Sequence, residues 1–338
     1  VERLGGGVKD VIVMWGGFIA MVLVILALDL GVLNRRPHAP SIPGALAFAG
    51  GTAVLALLFA GFLYQAYGSH LEGLGLKVDA VDHRMNDGRL AAVKFLTGYV
   101  VEMSLSMDNV FVIALIFEHL RVPLALQHRV LFWGVLGALL MRGAMIAGGA
   151  ALVARWQWVL YVMGVFLVFT AVRMLMRREN ADSPGESRIV GFLNRNFRVT
   201  TDFHGGSFVV TRDGRNWITP LLVALVLVES TDLIFAVDSI PAIFAITTDA
   251  FLVFTSNVFA ILCLRSLYFG LARLLVKFRY LKSALALILG LVGVKMLAAE
   301  WAENMLGDAA NFWMLGTVAV ILMAGAGASI LADRRSQA

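Results

Sequence analysis

Residues 228–242 read VESTDLIFAVDSIPA and lie inside an apolar stretch, 218–248, that carries Glu229, Asp232 and Asp238. A stretch of that length crosses a bilayer as a helix. Each ionised acid near its centre costs roughly 2.5–3.5 kcal/mol on insertion scales. Residues 101–111, VEMSLSMDNVF, repeat the pattern: an acid (Glu102 or Asp232), five residues, an aspartate (Asp108 or Asp238), then Asn109 or Ser239. The next span of each unit carries a deep arginine, Arg142 in ALLMR and Arg265 in ILCLR, and the one after it Arg173 in AVRML or Lys295 in GVKML. The spacings agree, 34 and 27 residues from Asp to Arg, then 31 and 30 to the last basic residue. A unit of three spans inverts the copy that follows it. Residues 89–176 and 218–300 are therefore expected to be inverted repeats, an architecture that places substrate near the midplane between the two halves.

Composition extends the reading to the whole chain. Of 338 residues 59% are hydrophobic and 15% charged, with a mean hydropathy of +0.82. That is too apolar for an ordinary soluble enzyme. Nine spans are expected, near 11–33, 44–66, 89–117, 128–153, 156–176, 218–248, 251–272, 283–300 and 311–331. The fold class expected is an all-α polytopic membrane protein. One cysteine, Cys263, excludes an intrachain disulfide or a Cys-based metal cluster. The net charge of +5 marks loops rather than a nucleic-acid partner, since no basic, aromatic-interleaved motif accompanies it. Alternate loops and the C-terminal tail hold most of the arginines (Arg35, Arg36, Arg121, Arg129, Arg177, Arg178, Arg188, Arg195, Arg198, Arg212, Arg215). The positive-inside rule then puts the N-terminus outside and the C-terminus in the cytoplasm.

Residues 177–217 form the one long cytoplasmic connection. Within it, Ile189–Phe197 is an apolar-basic run suited to the membrane surface. SFVVTRDGRNW, at 207–217, reads as a hairpin turning at Asp213 and Gly214.

The acids set the chemistry. Glu102, Asp232 and Glu229 fall at the bilayer midplane, and Asp108 and Asp238 about 8 Å to either side at about 1.5 Å per residue, forming a column of carboxylates. Arg142 and Arg265 are the expected counter-charges, and a divalent cation answers the remaining charge. Carboxylate, amide and hydroxyl oxygens with no histidine in mid-span favour Mn²⁺, Ca²⁺ or Mg²⁺ over a nitrogen-loving metal. Met103 and Met107 read as packing. Residues six apart on a helix differ by about 240°, so one compact site needs a broken helix, and Pro241 is the expected break. Lys94 and Arg173, near span ends, are expected to snorkel.

The two quoted segments are similar to the signature segments of the TerC family of bacterial membrane proteins, and the resemblance covers roughly residues 10–330. It implies kinship with LysE-type exporters, an inner-membrane location, and Mn²⁺ export, with Ca²⁺ or Mn²⁺ transport in relatives. It carries the family's acidic site onto Glu102, Asp108, Asn109, Glu229, Asp232, Asp238 and Ser239. The expected protein is a non-enzymatic secondary exporter of a divalent cation, Mn²⁺ first and Ca²⁺ next. The cation is substrate, and no resident cofactor is expected. No Walker motif supplies nucleotide, and closely spaced carboxylates suit proton antiport. An intramembrane aspartyl protease and an assembly factor docking partners on 177–217 are the alternatives. A homo-oligomer or membrane partner proteins stay open.

Overall fold

The computed structural model describes residues 2–28, 42–176, 191–193, 195–212, 214–275, 280–299, 305 and 309–337. Among these, nine long helices run in order: α1 (Glu2–Leu28), α2 (Ile42–Gly68), α3 (Gly88–His119), α4 (Leu124–Arg155), α5 (Trp158–Met176), α6 (Pro220–Phe244), α7 (Ala250–Leu275), α8 (Leu281–Leu297) and α9 (Ala309–Gln337). Six are long and apolar enough to cross a membrane, namely α2 through α6 and α9. The other three contain shorter apolar runs, Val13–Ala27, Ala250–Cys263 and Ser283–Leu297. The molecule is an all-α polytopic membrane protein. Large apolar side chains such as Leu58, Leu140, Phe169 and Ile234 stay exposed, as lipid-facing helices require.

Local chemistry sets the ends. Asp87 caps α3, its Oδ1 accepting the Leu90 N–H at 2.7 Å. Asp249 does the same for α7, accepting from Phe251 at 3.0 Å and Leu252 at 3.4 Å. Pro220 opens α6, where its missing N–H costs nothing. At 32 residues each, α3 and α4 are about 48 Å long and overshoot the roughly 30 Å hydrocarbon layer.

α3 packs on α7 and α6 on α4. α5 and α8 pack on each other, as do α3 and α6. Small residues permit the α5–α8 contact: a Cβ on Gly293 would lie 3.0 Å from the Gly164 carbonyl oxygen, so the backbones touch without intervening side chains. α2 covers α3 and α7, and α9 covers α3 and α8.

The connection before α6 carries two strands, β1 (Val209–Arg212) and β2 (Arg215–Ile218). They pair antiparallel with Arg212 opposite Arg215, which is the hairpin expected at 213–214. Residues 177–190, the start of that connection, lie outside the described residues.

Candidate functional site

On α3, Glu102, Ser106 and Asn109 are all buried. Seven residues turn a helix through about 700°, so Glu102 and Asn109 share one face. α6 repeats the device with Asp232 and Ser239, also buried. Arg142 of α4, 2% exposed, reaches between the two faces. Its Nε donates to Asp232 Oδ2 at 3.1 Å and its Nη2 to Asp232 Oδ1 at 3.0 Å, a fork-to-fork pair. Its Nη1 pairs with Glu102 Oε1 and lies 3.5 Å from Ser239 Oγ. Asn109 Nδ2 donates to Asp232 Oδ1 at 2.7 Å, and Ser239 Oγ to Glu102 Oε1 at 3.4 Å.

Five of the expected site residues therefore meet: Glu102, Asn109, Asp232, Ser239 and Arg142. Glu229 lies one turn before Asp232, its carboxylate pressed on the α4 backbone. A Cβ on Gly137 would sit 2.1 Å from Glu229 Oε1, so a larger residue there has to displace the carboxylate. Asp238 is elsewhere, accepting a hydrogen bond from Thr170 Oγ1 of α5 at 3.4 Å. This departs from the expected column, because six residues carry Asp238 to another side of α6. Nor does Pro241 break that helix, which continues through it to Phe244. Proline falls in the final turn, where little helix remains to be disrupted. The side chains of Asp108 and Arg265 lie outside the described residues.

The cluster is under-neutralised. Glu102, Asp232 and Glu229 can carry three negative charges against one from Arg142, and four oxygens are buried without a hydrogen-bond partner: Glu102 Oε2, Ser106 Oγ, Asn109 Oδ1 and Glu229 Oε2. Such groups are costly in a low-dielectric interior. Among the described residues, no three His, Cys, Asp or Glu side chains converge in metal-holding geometry, and the guanidinium fills the space between Glu102 and Asp232. A cavity of about 30 Å³ borders Asn109 and Asp232, walled by Ile113, Leu131, Val228 and Tyr268. It has room for a water or a small ion.

Packed groups flank the site on two sides. Beyond the cavity, Tyr268 donates to Gln127 Oε1 at 2.8 Å, and the Phe117 ring meets Tyr268 edge-on at 5.6 Å. On the other side Ile146, Ile240, Ile243, Phe244 and Val253 pack together.

A second buried polar cluster lies where α3 begins and α6 ends, and the sequence reading missed it. Lys94 does not snorkel: it is 1% exposed and pairs with Asp79 Oδ2 at 2.9 Å and Asp82 Oδ2 at 2.7 Å. Its Nζ also donates to Asn86 Oδ1 at 2.6 Å. Asp79 further accepts from Thr247 Oγ1 at 2.5 Å and from the Thr248 N–H and hydroxyl at 3.0 and 2.8 Å. Burial opposes ionisation of Asp79, but Lys94 and these donors outweigh it and hold its carboxyl near a pKa of about 2. Asp249, which accepts from Tyr67 at 2.9 Å, is pushed up by its burial. Asn311 of α9 ties in Asp82 at 3.1 Å and accepts from Lys295 at 2.9 Å. The only hint in sequence is the aspartate-rich run 79–87 followed by one lysine in an apolar stretch.

The family model of the integral membrane protein TerC family matches residues 87–337. A membrane protein of Myxococcus xanthus without an assigned role is 43% identical over 290 residues, covering 86% of this chain and 85% of that protein. Alx of Escherichia coli strain K12, provisionally named a membrane-bound redox modulator, is 43% identical over 289 residues, covering 85% of this chain and 86% of Alx. A membrane protein of Rickettsia felis is 36% identical over 282 residues, 83% of this chain and 87% of its own. No solved structure matches the chain.

Proposed function

Since the chain belongs to the TerC family of integral membrane proteins, we propose that it is a secondary transporter that exports a divalent cation, Mn²⁺ first, through the Glu102–Asp232 site. One observation carries the reading: Glu102 Oε2, Asn109 Oδ1 and Glu229 Oε2 are buried without a hydrogen-bond partner in a cluster with more carboxylates than cations. A divalent ion supplies the missing charge, and the all-oxygen donor set suits a hard or borderline cation. Arg142 acts as a tethered cation that occupies the acids when the ion is absent and yields when it enters beside Asn109. Protons released from Glu229 or taken up by it can balance the exchange.

The packing of α3 on α7, of α6 on α4 and of α5 on α8 supports an inverted repeat of 89–176 and 218–300. In that arrangement the Tyr268–Gln127 closure and the Phe244 plug are the two gates of an alternating-access cycle. The distribution of basic loops supports a bacterial inner-membrane orientation with the C-terminus cytoplasmic, so the cavity beside Asn109 faces the cytoplasmic gate.

The name of the relative Alx raises redox control. In this sequence the one thiol, Cys263, is buried and has no cysteine in the chain to pair with. A redox effect then runs through the ion moved rather than through the chain's own sulfur. Flux into proteoliposomes tests the reading: wild-type protein moves Mn²⁺ down an imposed gradient and Asp232→Asn does not. Equal flux from both, or none from either, refutes it.

A further inference from the structure

The mini-sheet ahead of α6 has two faces. In the β1–β2 register Arg212 opposes Arg215 and Val210 opposes Trp217, and directly opposed residues share a face. Residues 198–200 add a third edge, with the Ile218 N–H donating to the Arg198 carbonyl and the Thr200 N–H to the Ile218 carbonyl, each at 2.9 Å. This brings the Arg198 guanidinium over the Trp217 ring, 5.7 Å from its centre. One face thus gathers Arg198, Arg212 and Arg215, all exposed, around Trp217. Two like charges directly opposed destabilise a hairpin, and Arg198 adds a third positive charge to the same face. Three exposed guanidinium groups on one face call for an anion.

The surroundings say which anion. Trp217 stands three residues before Pro220, where a membrane-crossing helix starts. Phe192 and Phe197 are 61% and 50% exposed, beside Leu193, which is buried in the core under the hairpin. Exposed aromatics with arginines at a membrane boundary are the composition of an interfacial segment. We propose that the Arg198–Arg212–Arg215–Trp217 face binds the phosphate of an anionic phospholipid headgroup, with Phe192 and Phe197 seated in the adjoining lipid. Headgroup phosphate pairs with the arginines and relieves the Arg212–Arg215 repulsion.

The test uses the full chain in nanodiscs with a fluorophore on Asn196→Cys, an exposed position between the two phenylalanines. Protein without the added cysteine gives the background from buried Cys263. Quenching by headgroup-labelled lipid should be at least twofold stronger in discs containing phosphatidylglycerol than in phosphatidylcholine alone. The Arg198→Gln/Arg212→Gln/Arg215→Gln triple variant should lose that difference. Equal quenching in both lipids, or quenching that survives the triple substitution, overturns the proposal. A label unquenched in both lipids also overturns it and returns the face to a soluble partner.

Discussion

Arg142 and Asp232 are joined by two hydrogen bonds across the α4–α6 contact, at 3.1 and 3.0 Å, and both side chains are buried. The pair sits in the interior, where losing one partner strands the other charge at a cost of about 3–5 kcal/mol. Arg142 also reaches Glu102 and Ser239, so one guanidinium ties both faces of the site together.

Arg142→Ala should abolish Mn²⁺ flux and lower the midpoint of thermal unfolding in detergent by several degrees. Arg173→Ala, which removes an exposed side chain on α5, should leave both close to wild type, since surface changes stay within about 0.5 kcal/mol. Flux and melting measured on the two variants side by side check this. Equal losses would place the critical charge elsewhere.

Gly137→Ala should cut Mn²⁺ affinity at least tenfold with little change in expression. The new methyl group cannot coexist with Glu229 Oε1, 2.1 Å away, and must push the carboxylate aside. Glu229→Asp, shorter by one methylene, should recover part of the affinity in the Gly137→Ala background. A double variant no better than the single one would mean that Glu229 is not a ligand.

The Lys94 cluster predicts acid sensitivity of a particular sign. Asp79 has a folded pKa of about 2, lowered from 3.8, so its ionised form favours the folded state. That stability, roughly 2 kcal/mol for a shift of this size, is present above about pH 4 and is lost as the pH falls toward 2. Unfolding midpoints measured between pH 5 and 2 should drop in the wild type and drop far less in Asp79→Asn, which begins from a lower value. Parallel curves for the two proteins would contradict the assignment.

Much of the site was legible because charge in an apolar stretch is conspicuous. Glu102, Asp232, Glu229 and Arg142 stand out for that reason. The second polar position on each helix was harder to read. Aspartate is the stronger ligand by chemistry, yet the 3.6-residue turn brings Asn109 and Ser239, seven residues on, to the face of Glu102 and Asp232, and turns Asp238 toward Thr170. Gly137 carries no side chain to signal its contact with Glu229. Lys94 looked like a snorkelling residue because its partners Asp79 and Asp82 come from a loop that folds back over the bundle, a tertiary fact without a local pattern. Pro241 misled because its effect depends on how much helix follows it, and here only one turn's remainder does.

In the proposed cycle Arg142 competes with the cation for Glu102 and Asp232. Equilibrium binding of radioactive Mn²⁺ to purified protein, wild type against Arg142→Gln and Asp232→Asn, tests it most directly, with the fold of each variant checked by gel filtration. Asp232→Asn should lose binding while folded Arg142→Gln binds Mn²⁺ at least tenfold more tightly than wild type, because the acids no longer hold a built-in cation. Loss of binding in folded Arg142→Gln, as complete as in Asp232→Asn, would contradict it.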